Sequence, residues 1–331
     1  MAQAFSAYDY ITQNNRKTGL LVLLFPLTLL LMVWLACFVA VLLVGDEDFI
    51  AWGTSYLPIS LGEVEPTEVN AALGFTWAFA VPTFIVAVVW MTISYMFGDK
   101  MMMAFAGAAP MKKSDNPKLY RLVEDVAIMA GLPMPKIYLI DDESLNAFAT
   151  GKNPKTASIA FTTGIVDKLK PLELQGVIAH EMSHIGNRDI RLNMLVITGV
   201  GVFGFLGEML LRTRVHSSDS RSSKSNGQAA ALIFFVGLAL MLFNWIVAPL
   251  LQLALSRTRE YAADATGAKI IHNPYALADA LEKISKDCRV EALDQKNSMA
   301  VACIANPFDK ISQLYSTHPP IKERIRRLRS M

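Results

Sequence analysis

Residues 171–186 read PLELQGVIAHEMSHIG, and this stretch carries the clearest local pattern in the chain. Pro171 suits the first turn of a helix, because its missing N–H would have no partner there. The apolar residues that follow recur at helical spacing and predict one buried face: Leu174, Val177, Ile178 and Met182. On such a helix His180 and His184 lie four residues apart, on the same side.

The five residues from His180 to His184 form the pattern HExxH. Two imidazoles on one face of a helix converge on a single ion, and this spacing is typical of zinc sites. Glu181 then lies beside the open position of the metal, where it can act as general base for the attacking water. The pattern therefore predicts one catalytic Zn²⁺ per chain. The alternative is a surface helix with two incidental histidines.

A catalytic zinc with two histidines needs one further protein ligand. The candidates are the remaining histidines (His216, His272 and His318) and carboxylates on a second helix. Residues 256–264 read SRTREYAAD, which places Glu260 and Asp264 one helical turn apart. One carboxylate can bind the metal while the other accepts a hydrogen bond from the ring of a zinc-binding histidine. Spacing alone permits either assignment, and a solvated acidic pair beside the neighbouring arginines is the alternative.

The polar part of the chain falls into two blocks, 99–191 and 257–331. In the first, Ser114-Asp115-Asn116 offers N-cap chemistry for a helix over 117–130, and residues 136–140 and 158–162 are β-rich. The second block is predicted to be helical throughout. At its end, Ile321, Ile325 and Leu328 form one face of a helix. Basic residues lie elsewhere on that helix and predict a solvated side: Lys322, Arg324, Arg326 and Arg329.

The composition indicates an integral membrane protein. Of 331 residues, 53% are apolar and 18% charged, and the mean hydropathy is +0.35. Residues 19–45 and 71–98 carry no charge, and each run exceeds the roughly 20 residues needed to cross a bilayer. The alternative for the first run is a cleaved signal peptide, but its apolar stretch is longer than the ~7–15 residues typical of one.

Two further hydrophobic segments cover 192–211 and 228–256. The second of these is long enough to span with tilt. The first is marginal, because glycines and polar residues dilute it. It either spans the membrane or forms a helical hairpin with the next segment that enters the membrane partway.

The distribution of charge predicts the orientation. The loop 46–70 has six acidic and no basic residues, whereas Arg16 and Lys17 precede the first segment and five basic residues between 100 and 121 follow the second. By the positive-inside rule, the N-terminus and the polar blocks are cytoplasmic and the acidic loop is outside. The basic residues between the third and fourth segments, among them Arg212 and Arg214, disagree with export of that loop.

Net charge and cysteine content exclude other classes of protein. A net charge of +2 offers no basic field for nucleic acid. Three cysteines without a CxxC pair form neither a disulfide scaffold nor a zinc ribbon.

Taken together, HEMSH at 180–184, SRTREYAAD at 256–264 and STHPP at 316–320 resemble the HtpX-type membrane zinc metalloproteases, which are gluzincins and relatives of the CAAX prenyl proteases. The order of the hydrophobic segments agrees, so the resemblance covers most of the chain. It implies a multi-pass endopeptidase of the cell inner (plasma) membrane. Its active site would face the cytoplasm, and it would cleave misfolded or damaged membrane proteins in quality control and stress response.

The resemblance also implies roles for individual residues. His180, His184 and Glu260 match the zinc ligands, Glu181 the catalytic base, and Asp264 the carboxylate that orients His180. His318 matches a position whose imidazole stabilises the oxyanion, with a non-catalytic residue as the alternative. Asn146 and Ala147 begin a segment, 146–149, that matches the edge strand used to bind extended substrates. An ordinary loop is the alternative there.

The expected fold is α+β and mainly helical, with integral membrane helices and a small cytoplasmic gluzincin-like domain. Residues 1–98 hold two transmembrane helices, 99–191 the first part of the catalytic domain, 192–256 two further hydrophobic segments, and 257–331 the second part with the third ligand. Two other functions compete. A scaffold or chaperone with structural zinc would close its site with four protein ligands. A prenyl-peptide processor would need more hydrophobic segments than four.

Overall fold

Helices dominate the computed structural model, which describes residues 7–58, 64–216, 230, 233–242, 257–285 and 319–331. A single small sheet accompanies them in this part of the chain, as the mainly helical prediction requires. The residues cluster into two units. We call them the polar unit (Met1–Gly19, Ser94–Thr198 and Pro249–Met331) and the apolar unit (Leu20–Ile93 and Gly199–Ala248).

Helices α1 (Ala7–Val44) and α3 (Glu68–Phe105) are the longest of the described elements. Both start before the apolar runs seen in the sequence, because helical hydrogen bonding continues through the polar residues that flank them. Leu23 and Val81 are each 67% exposed, as expected for helices whose apolar surface faces lipid. Each helix contains a span long and apolar enough to cross a bilayer: Pro26–Leu43 and Ala80–Phe105.

A short helix, α2 (Glu47–Thr54), lies within the acidic connection between α1 and α3, for which the sequence indicated only a loop. Its N-cap is Asp46, whose Oδ1 accepts a hydrogen bond from the backbone N–H of Phe49 at 3.0 Å. The helix packs closely on α3, since a Cβ added to Gly74 would lie 1.9 Å from the carbonyl oxygen of Gly53. Within the apolar unit, α2 is therefore held against α3 by a close contact between their backbones.

The polar unit contains the four-stranded sheet, ordered β1-β2-β4-β3. Strand β2 runs parallel to β4, with Lys136 opposite Ser158, and the other two pairs are antiparallel. The bounds of β2 and β4 confirm the two strands predicted from the sequence. Strand β3 forms one edge of the described sheet. The strands are β1 Ala109–Pro110, β2 Lys136–Ile140, β3 Ala147–Thr150 and β4 Ser158–Thr162.

Helix α6 (Pro171–Gly186) lies at the centre of the polar unit. It packs against strand β3 and against helices α4 (Pro117–Ala130), α9 (Arg257–Ile270) and α10 (Pro274–Ile284). Its predicted apolar face is buried, with Val177, Ile178 and Met182 fully inaccessible. The bounds of α4 and the start of α6 agree with the sequence prediction. This unit also contains helices α5 Thr163–Lys168 and α11 Ile321–Arg329.

Two glycines allow the neighbours of α6 to approach its backbone. A Cβ on Gly176 would lie 2.7 Å from the backbone nitrogen of Leu277 on α10. A Cβ on Gly267 of α9 would lie 3.0 Å from the backbone nitrogen of His180. These close crossings set the distance between α6 and the two helices beside it.

Helix α7 (Asp189–His216) follows α6 after a short turn in which Arg188 has a φ of 59°. It covers the third hydrophobic segment and begins three residues before it. Most of the fourth segment, 228–256, lies outside the described residues. Within it, α8 (Ile233–Leu242) is helical and apolar.

Candidate metal centre

Three side chains from two helices converge in the polar unit: His180 and His184 of α6 and Glu260 of α9. The two Nε2 atoms lie 3.2 Å apart. Glu260 Oε2 lies 3.8 Å from His180 Nε2, and its Oε1 lies 3.6 Å from His184 Nε2. Ligands held at about 2.0–2.2 Å in a tetrahedron are separated by about 3.4 Å. This group therefore fits a zinc ion, and the atoms need to move by only a few tenths of an ångström to bind one.

Asp264 lies one turn after Glu260 on α9 and contacts the other ring nitrogen of His180. Its Oδ1 is 3.0 Å from His180 Nδ1. A carboxylate at Nδ1 fixes the tautomer that leaves Nε2 free to bind a metal. The structure thus separates the two carboxylates that sequence spacing left equivalent: Glu260 faces both Nε2 atoms, and Asp264 lies behind His180.

Arg324 of α11 is fully buried, and the prediction that it lies on a solvated face is wrong. Its Nε and Nη2 donate hydrogen bonds to Asp264 at 2.8 and 2.7 Å, and Nη2 also lies 3.4 Å from His180 Nε2. Burial acts to raise the pKa of Asp264, but the charge and hydrogen bonds of Arg324 lower it to about 2. The helical pattern of α11 could not reveal this, because the partner that draws Arg324 inward is distant in sequence.

Asp189, the first residue of α7, contacts the Nδ1 atom of His184 as Asp264 contacts that of His180. Its Oδ2 lies 2.9 Å from His184 Nδ1, so this imidazole too presents Nε2 toward the centre. Burial acts to raise the pKa of Asp189, but the hydrogen bond from His184 and the charge of Arg259 keep it below its ordinary value. The sequence analysis missed this residue. The available signal was a lone carboxylate five residues after the second histidine of HExxH.

Glu181 is 2% exposed and follows the first histidine on α6. Burial raises the pKa of its carboxyl to about 8, with a further contribution from the negative charge of Glu260. The nearby backbone of Ala149 on β3 acts in the opposite direction and lowers this pKa. The side chain therefore lies on the helix that packs against the edge strand of the sheet.

Comparison with known proteins assigns the chain to a family. The model of Peptidase family M48 matches residues 113–331. The chain belongs to this family. A protein named Protease HtpX homolog from Bacteroides fragilis is 36% identical over 95% of this chain and 95% of its own length. Another, from Caldanaerobacter subterraneus subsp. tengcongensis, is 38% identical over 98% and 97%.

The crystal structure of S. mikatae Ste24p is also similar to this M48 chain. It is 19% identical with a TM-score of 0.44, over 94% of this chain and 66% of that chain. The family and the HtpX relatives identify the M48 chain as a membrane-bound metalloprotease. Its HExxH helix is the α6 that holds His180 and His184.

The two predicted substrate-binding residues of the M48 chain lie at the start of β3. Ala147 pairs with Phe161 of β4, and Asn146 exchanges hydrogen bonds with Thr162 through its own backbone. Both residues are almost fully buried. The predicted extended segment at 146–149 is thus a strand from Ala147 onward, and it lies alongside α6.

The remaining histidines of the M48 chain do not join the described centre. His318 lies outside the described residues, as does the side chain of His216. His272 is exposed at the end of α9, with a φ of 52°. Of the candidates for the third ligand that are described, Glu260 alone reaches both Nε2 atoms.

Proposed function

We propose that this membrane-bound metalloprotease is a zinc-dependent endopeptidase that hydrolyses misfolded or damaged membrane proteins in quality control and the stress response. The observation that supports it best is the convergence of His180, His184 and Glu260 beside the buried carboxyl of Glu181. Three protein ligands and an adjacent base describe an open, catalytic zinc site rather than a closed, structural one. The similarity to HtpX proteins supports the quality-control role.

In the proposed mechanism Glu181 accepts a proton from the attacking water and transfers it to the leaving amine. Zinc, when bound, supplies a Lewis acid and lowers the pKa of water toward about 7. Asp264 and Asp189 hold the two imidazoles in the tautomer that binds the metal. A carboxyl with a raised pKa is the stronger base, which suits proton transfer near neutral pH.

We propose that the substrate lies in an extended conformation along β3, with Asn146 and Ala147 among its contacts. The packing of β3 against α6 supports this, because it places the strand beside the helix that carries the base. His318 is proposed to stabilise the oxyanion, on the strength of the resemblance of STHPP at 316–320 alone.

We further propose a multi-pass protein of the inner (plasma) membrane with the metal centre in the cytoplasm. The spans within α1 and α3 support the two transmembrane helices of 1–98, and the basic residues after the second support the orientation. Residues 99–191 and 257–331 would then form the catalytic domain. Residues 192–256 would provide the third and fourth hydrophobic segments, in contact with the lipid bilayer.

The test uses the full chain purified in detergent under chelation. Restoring one equivalent of Zn²⁺ is expected to restore cleavage of casein and of a destabilised membrane protein. Glu181→Gln removes the base without removing a ligand, so zinc stays bound while hydrolysis falls by at least ~10²-fold. Glu124→Gln, on α4, is the matched control with normal activity. Full hydrolysis by Glu181→Gln would contradict the assignment of the base, and cleavage without any metal would contradict the proposed function.

A further inference from the structure

The N-terminal end of α1 reaches the metal centre through one side chain. Asn14 lies before the first apolar span and is 1% exposed. Its Nδ2 donates hydrogen bonds to Asp189 Oδ1 at 2.5 Å and to the carbonyl oxygen of Asn187 at 3.1 Å. Asn187 ends α6 and Asp189 begins α7. One amide therefore joins α1 to both sides of the turn that follows the HExxH helix.

The two oxygens of Asp189 have separate partners. Oδ2 contacts His184 Nδ1 at 2.9 Å. Oδ1 accepts one hydrogen bond from Asn14 Nδ2 and another, at 3.3 Å, from Nη1 of Arg259. A carboxylate with one oxygen held in this way cannot rotate away from the imidazole. Arg259 supplies a compensating charge. Asn14 is neutral, so what it adds is the direction of the carboxylate.

Asn14 is poorly suited to a role in packing alone. Within the described part of the chain, its buried Oδ1 accepts no hydrogen bond. A buried acceptor without a donor is unfavourable, because it loses its hydrogen bonds to water without replacing them. An apolar side chain of similar size would avoid that cost, so the hydrogen bonds to Asp189 and to the carbonyl of Asn187 are the favourable interactions that an asparagine provides here.

The next residue provides a natural comparison. Asn15 is exposed, and its Oδ1 accepts a hydrogen bond from Nη2 of Arg191 on α7. It therefore links the same two helices without contacting Asp189. Substituting Asn15 therefore changes only the attachment of α1 to α7, whereas substituting Asn14 also changes the contact that orients the Asp189 carboxylate.

We propose that Asn14 is a positioning residue for the metal centre, acting through Asp189 on His184. The polar end of α1 is then a part of the zinc site, although it precedes the residues 113–331 that the family model matches. This inference rests on the proposed zinc function.

The test compares Zn²⁺ affinities of the full chain in detergent, by competition with a chromophoric chelator. Asn14→Leu removes the amide at similar volume, and Asn14→Ala checks that the bulk of leucine is not the cause. We expect about 10–100-fold weaker zinc binding for both variants, as is typical when the partner of a ligand is lost. The visible absorption of the Co²⁺-loaded chain should change as well. Asn15→Ala should match the unmodified chain in both measurements.

A double-mutant cycle with Asp189→Asn distinguishes positioning from general loosening of α1. If Asn14 acts through the carboxylate, adding Asn14→Leu to Asp189→Asn weakens zinc binding little further. Equal losses in both backgrounds, the same loss in Asn15→Ala, or unchanged affinity in both Asn14 variants would overturn the inference. Failure of the unmodified chain to bind zinc would instead overturn the proposed function.

Discussion

The metal centre depends on charges that balance only as a group. Arg324 is buried against two carboxylates, at 2.7 Å from Asp264 and 3.8 Å from Glu260. Removing one partner of a buried ion pair costs about 3–5 kcal/mol, because the other charge is left without compensation. We therefore expect Asp264 to be needed for folding as well as for the orientation of His180, and Glu260 to be needed mainly for the proposed metal site.

This difference predicts separate outcomes for two conservative substitutions. Glu260→Gln should leave the chain folded but remove most of its zinc affinity and its activity. Asp264→Asn should unfold more readily, because Arg324 loses the nearer of its two charged partners. Its folded fraction should bind zinc about 10–100-fold more weakly. Zinc titration and thermal unfolding of the two variants side by side check this. If folded Asp264→Asn is the more metal-deficient, the two roles must be exchanged.

Helix α6 positions the centre because its neighbours approach its backbone directly. The crossing with α10 at Gly176 leaves no space for a side chain, since the nearest atoms belong to the backbone of Leu277. The C-terminal end of the same helix is less tightly packed. A Cβ on Gly186 would meet only Leu132 Cδ1, at 3.5 Å.

Two substitutions on α6 should therefore have opposite effects. Gly176→Ala is expected to lower the free energy of unfolding by about 1–3 kcal/mol, because α10 must move away. Gly186→Ala should leave stability unchanged or slightly raised, as alanine favours the helix. Denaturant unfolding of both variants measures the difference. Equal stability of the two would show that the crossing is less tight than the structure indicates.

A salt bridge joins the same pair of helices. Lys283 Nζ on α10 lies 2.7 Å from Glu173 Oε2 on α6, and Glu173 also accepts a hydrogen bond from the backbone of Lys170. Burial acts to raise the pKa of Glu173, but these partners lower it below its ordinary value. A carboxyl whose pKa is lowered in the folded state stabilises that state at pH values above its ordinary pKa. This stabilisation is lost as the pH falls through the pKa of the folded state.

A double-mutant cycle of Glu173→Gln and Lys283→Met should give a coupling energy of about 0.5–1 kcal/mol at pH 7, because Lys283 is partly exposed and screened. The coupling should decrease as the pH falls from 7 below the ordinary pKa of glutamate, and it should be lost once the carboxyl of the folded chain is protonated. Urea unfolding at pH 7 and at successively lower pH values provides the measurement. A coupling that persists at the lowest pH would indicate a contact of apolar rather than ionic character.

At the scale of the whole molecule, the distribution of charge predicts the orientation in the membrane, and the structure identifies exposed positions that can test it. Ser55, after α2, and Ser114, before α4, are both exposed. In the sequence, Ser55 precedes the span within α3 and belongs to the acidic connection, whereas Ser114 follows that span and belongs to the polar unit. A thiol at either position is accessible without unfolding.

In a chain whose three natural cysteines are replaced, Ser55→Cys should react with a membrane-impermeant thiol reagent added outside the cytoplasmic membrane. Ser114→Cys should react only after the membrane is permeabilised. The reason is the positive-inside rule applied to the basic residues from Lys100 to Arg121. Labelling in the opposite sense would reverse the proposed orientation.

Local patterns were sufficient for much of the polar unit. Helix 117–130, strands 136–140 and 158–162, and the HExxH helix follow from capping residues and apolar spacing, which act between near neighbours in sequence. The pairing of His180 with His184 belongs to the same class, because a helix brings i and i+4 together by itself.

Contacts between distant residues were decided only by tertiary structure. Arg324 is 60 residues from Asp264, and Asn14 is 175 residues from Asp189. A basic residue on an amphipathic helix and an asparagine before an apolar run have no local feature that reveals a buried partner. The packing of α1, α7, α9 and α11 removes certain carboxylates from solvent. Arg324 and Asn14 are buried because they are the partners of those carboxylates. Helical periodicity sets the face on which a side chain lies, whereas its charge partner is set by the assembled core.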